Sequence, residues 1–232
     1  MISILKKEIN TFFTSSIGYL VVGLFFVMTG LFLWVFDSQY NIFNYGYADL
    51  TPFFQLCPWI FMFLIPAITM RSLSDELRSG TLELLFTKPL SEFSLVLGKF
   101  FGALILIIIA LLPSLGYVIA IDALGNPPGN YDAGIMLGSF IGLFFLATTY
   151  TAIGIFASSL TTNQIVAFLI AVVVSFTFYY ALDALVFLES LSLRAHFDSI
   201  SRGVLDTRDL LYFLSLCLLF LYFTSIRLKN HS

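Results

Sequence analysis

The chain has 232 residues, of which 59% are hydrophobic and 11% are charged, and its formal net charge is −3. Soluble domains are about one quarter charged, so a chain this apolar is expected to have lipid as its main solvent. No basic stripe interleaved with aromatic residues is present, which leaves nucleic-acid binding without support. Cys57 and Cys217 lie inside apolar runs and are interpreted as small hydrophobic residues, and the two histidines have no ligand cluster nearby that could hold a metal.

The apolar residues occur in uninterrupted runs, which predicts membrane-spanning α-helices rather than the alternating strands of a barrel. A span requires about 20 such residues. The first run follows Lys6 and Lys7, carries no charge from Ile9 to Phe36 and has no small-residue cleavage site, so we interpret it as a retained span rather than a signal peptide. The sequence predicts six spans, at residues 17–36, 53–70, 100–121, 135–157, 165–182 and 210–226.

Residues 133–182 contain no Asp, Glu, Lys or Arg and are long enough for two crossings, so we expect a hairpin that turns near residues 158–164. With six spans, eight of the 11 Lys and Arg residues lie on the side of the N-terminus and three lie on the other side. The positive-inside rule therefore predicts that both termini face the cytoplasm. We expect a single transmembrane domain over residues 1–232, with no soluble domain.

The segment between the second and third spans, residues 71–99, is long and polar. Three leucines and a threonine recur in it at spacings of four, four and three, which places them on one helical face: Leu73, Leu77, Thr81 and Leu84. This pattern predicts an amphipathic helix over residues 72–86 that ends before Pro89. The helix carries three acidic residues and one arginine, whereas helices that lie on lipid headgroups are usually rich in Lys and Arg. A helix that docks to another protein is favoured, and a helix that rests on the membrane surface is the alternative.

Two segments resemble a known family. The run Met70–Leu90 contains Gly80-Thr81-Leu82-Glu83-Leu84-Leu85 and then Thr87-Lys88-Pro89. It is similar to the first coupling helix of type-2 ABC exporter permeases, and Gly98-Lys99-Phe100 is similar to that family's entry to the third span. The outer run His196–Leu210 resembles a branch that includes the permease subunit of the gliding-motility ABC transporter. The resemblance implies a permease of the inner membrane in the gliding-motility system, paired with a second copy or a related permease and with a separate cytoplasmic ATPase.

In that family the coupling helix sits in a groove of the ATPase and transmits its ATP-driven closure. By position, the resemblance assigns this contact to six residues: Asp75, Glu76, Arg78, Gly80, Thr81 and Glu83. The N-terminal stretch Ile2–Phe13 would correspond to an interfacial elbow helix. The sequence has no P-loop, because Gly98-Lys99 is followed by Phe100 and lacks the upstream glycine. We therefore expect no catalysis and no cofactor in this chain, with ATP and Mg²⁺ bound by the partner ATPase.

Two other classes of function are weighed against transport. A non-transporting membrane scaffold of the motility apparatus that retains the permease fold is the alternative. An intramembrane enzyme is disfavoured, because the predicted spans hold no histidine, no paired acids and no metal-ligand spacing.

The outer segment between the fifth and sixth spans, residues 183–209, has a helical pattern of its own. Leu193, Phe197, Ile200 and Val204 form an apolar stripe, Gly203 suits the end of that helix, and Asp206 is placed to cap the last span. Family members carry short outer-leaflet helices here that help close the pathway. The resemblance thus suggests an outer gate at four residues: His196, Phe197, Arg202 and Asp206. A capped interfacial hairpin with no substrate contact is the alternative.

Charged, small and helix-breaking residues near the spans carry further predictions. Asp183 lies about 18 residues from the inner end of the fifth span, roughly 27 Å along a helix, and so near the outer headgroups. An interfacial cap or salt-bridge partner is favoured for it over a role on the substrate path. Gly138 and Gly142 have the spacing that permits close helix approach. Kinks are expected at three prolines: Pro58, Pro66 and Pro113.

Overall fold

The computed structural model describes residues 2–81, 92–127, 129–185 and 187–229. Over these residues the chain is helical and contains no β-strand. Within the described residues, six helical stretches are long and apolar enough to cross a membrane: Ser16–Val35 (span 1), Thr51–Ser79 (span 2), Glu92–Leu124 (span 3), Ala133–Leu160 (span 4), Gln164–Ala181 (span 5) and Thr207–Lys229 (span 6). The predicted all-α fold with six spans is therefore confirmed, and each predicted range overlaps one of these stretches.

The α-helices are numbered here in chain order. They are α1 (Ile2–Thr14), α2 (Ser16–Gly30), α3 (Ile42–Tyr45), α4 (Thr51–Thr69), α5 (Ser74–Ser79), α6 (Glu92–Leu111), α7 (Gly116–Leu124), α8 (Ala133–Leu160), α9 (Gln164–Phe176), α10 (Leu193–Ile200) and α11 (Thr207–Lys229). Short π-helical segments, Leu31–Val35 and Thr177–Ala181, end spans 1 and 5. A 3-10 turn, Leu112–Leu115, joins α6 to α7 within span 3, and another, Glu189–Leu191, precedes α10.

The three prolines act differently on their spans. Pro58 and Pro66 lie inside α4, which stays α-helical from Thr51 to Thr69. Pro113 lies in the 3-10 turn of span 3. Proline has no N–H for the hydrogen bond that an α-helix interior requires. Among the three predicted kink sites, Pro113 is therefore the one at which the α-helix is interrupted.

Span 4 lies at the centre of the bundle, and α8 packs against α4, α6, α9, α10 and α11. Small residues allow these close contacts. A Cβ added at Gly154 would lie 2.0 Å from Thr69 Oγ1 of span 2. A Cβ at Gly138 would lie 2.6 Å from the carbonyl oxygen of Ile200, and one at Gly142 would lie 3.1 Å from the ring of Phe197. Close approach at Gly138 and Gly142 is thus present, and the helix that approaches is the short α10.

The spans at the periphery of the bundle have large apolar side chains exposed. Val27 of span 1, Val173 of span 5 and Leu218 of span 6 are examples, with exposed fractions of 55%, 62% and 57%. In a bilayer such side chains meet a solvent as apolar as themselves. An apolar groove of about 560 Å³ runs between spans 1, 2 and 5, with Trp59 and Phe168 among its lining residues.

Candidate functional site

A buried lysine joins three separate segments at one end of the bundle. Lys99, near the start of α6, is 3% exposed. Its ammonium group donates to Glu8 Oε1 of α1 at 3.2 Å, to Glu76 Oε1 of α5 at 2.8 Å and to the carbonyl oxygen of Ser72 at 2.6 Å. A lysine has three N–H donors, so each of them has an acceptor. We call these four residues the Lys99 cluster.

The local sequence explains why α1 can lie against α6 at this point. A Cβ added at Gly102 would lie 2.6 Å from Glu8 Cβ, so the missing side chain makes room for α1. Glycine thereby brings the Glu8 carboxylate within reach of Lys99, one turn earlier on α6. A buried ammonium loses its hydration, and the two carboxylates and one carbonyl offset that cost.

Glu76 has one carboxylate oxygen bound and the other without a partner among the described residues. Its side chain is 13% exposed, and the oxygen without a partner, Oε2, is buried. A second lysine, Lys7 of α1, places its Nζ 3.9 Å from Glu76 Oε1, but the Lys7 side chain is 65% exposed. Exposed pairs contribute little to stability, so the contact that holds Glu76 is the one with Lys99.

The other side of α5 is attached to the turn between spans 4 and 5. Gln164 at the start of α9 donates through Nε2 to the Asp75 carboxylate. Its Oε1 accepts from Arg71 Nε at 3.1 Å. α5 has only six residues, and it is nevertheless fixed on two sides by side chains that are distant in sequence.

The end of α5 is exposed. Arg78, Ser79, Gly80 and Thr81 all face solvent, and Gly80 has a φ of +67°, which ends the helix. The prediction of one continuous amphipathic helix over residues 72–86 is therefore wrong at Gly80. Leu73 is buried and Leu77 is half-buried, but Thr81 lies beyond the break and is exposed. Glycine in the left-handed conformation redirects the backbone, so Thr81 does not continue the face formed by Leu73 and Leu77, and Leu84 with the rest of the predicted helix lies outside the described residues.

The six residues assigned to an ATPase contact divide into groups. Asp75 and Glu76 bind Gln164 and Lys99 within the chain. Arg78, Gly80 and Thr81 are exposed at the end of α5. Glu83 lies outside the described residues. Contact of this set with a partner stays a prediction, and exposure favours the last part of α5 as its surface.

A second cluster lies at the opposite end of the chain's helices, around α10. His196 Nδ1 lies 2.6 Å from Asp209 Oδ1, and its Nε2 lies 3.0 Å from the carbonyl oxygen of Ser190. The imidazole stacks on Tyr212, with ring centroids 4.1 Å apart. Phe197 is buried against span 4. These contacts fix α10 to spans 4 and 6.

The structure does not bring the whole predicted outer gate together. Arg202 and Asp206 are both exposed, whereas His196 and Phe197 pack inward. Asp206 Oδ1 accepts from the backbone N–H of Arg208 at 2.9 Å, so the predicted cap of the last span is confirmed. Val204 is 69% exposed and follows Gly203, whose φ is +84°. The predicted apolar stripe is therefore wrong at Val204 and ends at Ile200, while the gate itself stays a prediction.

Asp183 is a salt-bridge partner, which is the interpretation that the sequence favours. Its Oδ2 lies 3.1 Å from Arg194 Nη1, and its Oδ1 accepts from the Ser192 hydroxyl at 3.4 Å. Ser192 also caps α10 by accepting from the backbone N–H of Arg194 at 3.1 Å. Asp183 thus helps to hold the start of α10 against the end of span 5.

The sequence by itself does not mark Lys99, Glu8 or Gln164 as site residues. Lys99 stands in it only as a charge at the boundary of the third span and as part of a resemblance. One signal was present: Gly98 and Gly102 flank Lys99 at a spacing of four, which favours close approach of another helix. Nothing in the sequence indicates which helix approaches.

Comparison with protein-family models finds a match. A family model described as ABC-2 family transporter protein matches residues 2–217 of the chain. The matched range includes α1, α5, the Lys99 cluster and the α10 segment. No curated protein matches the chain.

Proposed function

Because the chain belongs to the ABC-2 transporter family, we propose that it is an exporter-type permease subunit that couples ATP hydrolysis by a separate ABC ATPase to transport. Membership of the family makes it a membrane subunit of a transporter. We assign ATP and Mg²⁺ binding to the partner because the 232 residues contain no P-loop. Family members of this kind are normally not catalytic themselves.

The observation that carries the proposal is the placement of α5. Its last residues, Arg78 and Ser79, are exposed, as are Gly80 and Thr81 after it, while Asp75 and Glu76 attach it to Gln164 of span 5 and Lys99 of span 3. A docking element must present a free surface to its partner and must be firmly joined to the spans that move. The geometry of α5 meets both requirements.

The topology, membrane and second subunit belong to the same proposal. The distribution of Lys and Arg, eight against three, supports an orientation in the inner membrane with α5 and both termini in the cytoplasm. A second copy of this chain or a related permease would complete the transporter. The gliding-motility system is the proposed setting, and the resemblance of the run His196–Leu210 supports it.

The experiment compares charge reversal at the two ends of the bundle. The chain is purified with its ATPase from membranes of the native host, as wild type, Arg78→Glu and Arg208→Glu. Both arginines are exposed, but Arg208 lies at the opposite end and serves as the matched control. We expect Arg78→Glu to reduce ATPase recovery and the dependence of hydrolysis on the chain, and Arg208→Glu to change neither.

Two outcomes oppose the proposal. Equal ATPase recovery and equal hydrolysis for Arg78→Glu and wild type would remove α5 from the interface. An ATPase that binds the wild-type chain but hydrolyses ATP at the same rate with and without it would favour the alternative function, a scaffold that retains the permease fold.

A further inference from the structure

The contacts of α5 are distributed unevenly over its neighbours. Among the described residues, its backbone approaches spans 4 and 5 more extensively than α1 or α6. A cleft of about 570 Å³ lies beside it, lined by residues of α1, spans 1 and 2, α5 and Lys99. The ion pairs of Glu76 with Lys99 and, more weakly, with Lys7 cross this gap. α5 therefore reaches α1 and span 3 mainly through charged side chains.

Lys99 is the point at which these connections converge. One ammonium group binds carboxylates from α1 and α5, which are 91 and 23 residues away from it in sequence, and the carbonyl of Ser72 between α4 and α5. Removing that group would leave two carboxylates facing each other at a largely buried site. The two acids cannot separate from Lys99 independently without a large electrostatic cost.

Apolar packing would hold these segments together at lower cost, because a buried ion pair is often no more stabilising than well-packed hydrophobic residues. What the charged cluster adds is a fixed geometry between α5 on one side and α1 and α6, which pack directly on each other, on the other side. A displacement of α5 must move the Lys99 ammonium and, with it, both span 3 and the Glu8 carboxylate. α1 continues through Ser15 into span 1.

We propose that Lys99 is a positioning residue that makes α5, span 3 and α1 move as one body, with Glu76 and Glu8 as its two attachments. The inference rests on the proposed function, in which an ATPase displaces α5. A displacement of α5 is thus transmitted to spans 1 and 3 together. The contact of Asp75 with Gln164 transmits it separately to the turn between spans 4 and 5.

The decisive variant neutralises the whole cluster: Glu8→Gln, Lys99→Met and Glu76→Gln combined. It removes the charged link without leaving an unpaired buried charge, so it is expected to fold where Lys99→Met alone does not. Lys99→Arg retains the charge and serves as the conservative variant. Each is purified with the ATPase, and recovery and chain-dependent hydrolysis are measured.

We expect the neutral variant to bind the ATPase as wild type does and to lose chain-dependent hydrolysis by about 2- to 30-fold, the range found for residues on a coupling route. Lys99→Arg should retain chain-dependent hydrolysis to within about 2-fold of wild type. A neutral variant with wild-type coupling would overturn the proposal and leave the cluster as a structural contact.

A second measurement does not require the ATPase. Spin labels at Thr11→Cys and Ser79→Cys, exposed positions on α1 and at the end of α5, report the distance between these two helices by double electron–electron resonance. The distribution should be narrow in wild type and Lys99→Arg and clearly broader in the neutral variant. An unchanged width overturns the role of Lys99 even if α5 does bind the ATPase. If the distribution is broader in the neutral variant but the wild type does not bind the ATPase, the proposed function is refuted and the linkage through Lys99 stands.

Discussion

The contact between Gly154 and Thr69 is the tightest that the structure shows at a glycine of span 4. A Cβ at position 154 would lie 2.0 Å from Thr69 Oγ1 and 2.9 Å from Thr69 Cβ. Thr69 is buried at the end of α4, and its hydroxyl donates to the carbonyl oxygen of Ile65 at 2.9 Å. Gly154→Ala must therefore push spans 2 and 4 apart, just before the link to α5.

The size of the effect follows from a matched glycine. Gly23 also lies in a helix, and a Cβ there meets no atom within 4 Å. Both substitutions gain the same helix propensity, so their difference isolates the steric clash. Overpacking of this kind costs about 1–3 kcal/mol. We expect Gly154→Ala to be less stable than Gly23→Ala by that amount, measured as the free energy of reversible unfolding in mixed micelles.

A suppressor tests whether the clash is the cause. Thr69→Ala removes the closest atom and leaves only the 2.9 Å contact with Thr69 Cβ, so it should recover part of the loss. Residues in contact show coupling energies of about 0.5–3 kcal/mol in a double-mutant cycle. Equal stability of Gly154→Ala and Gly23→Ala, or a strictly additive cycle, would refute the reasoning.

Three further predictions use the same unfolding assay or thiol chemistry. Gly138→Ala places a methyl group 2.6 Å from a backbone oxygen at the end of α10, so it should cost about 1–3 kcal/mol; wild-type stability would contradict this packing. Asp209→Ala should cost about 1–3 kcal/mol because it removes the hydrogen bond between His196 and a nearly buried carboxylate, whereas Arg194→Ala, at a half-exposed pair, should cost less than about 1 kcal/mol; similar losses would be evidence against the difference in burial. Cys57 is fully buried, so a maleimide should label it only after unfolding, and rapid labelling of the folded chain would be inconsistent with that position.

The hairpin of spans 4 and 5 shows how far a linear pattern reaches. The uncharged stretch over residues 133–182 predicts two crossings with a turn near 158–164, and α8 ends at Leu160 while α9 begins at Gln164. Asn163 caps α9 by accepting from the N–H of Ile165. Run length and turn chemistry are properties of neighbouring residues, so the sequence contains them directly.

The candidate site is predictable only in part. The segment around α5 can be located from its polarity and from the spacing of its residues in the sequence. The sequence does not show that the helix ends at Gly80, or that Asp75 and Glu76 bind groups inside the chain. A glycine in a helical pattern can continue a helix or end it, and the choice depends on the backbone conformation that the surrounding fold stabilises. Likewise, an acidic residue on a short helix can face solvent or a buried lysine.

The sequence by itself determines that this chain is an all-helical protein with six helices able to span a membrane, because lipid requires long apolar runs and those runs are local. The tertiary structure alone decides that Lys99 is buried between Glu8 and Glu76, and that Gly138 serves the approach of α10. Glu8 and Lys99 are 91 residues apart. No periodicity links them, so their contact exists only once the packing of α1 on α6 has placed them side by side.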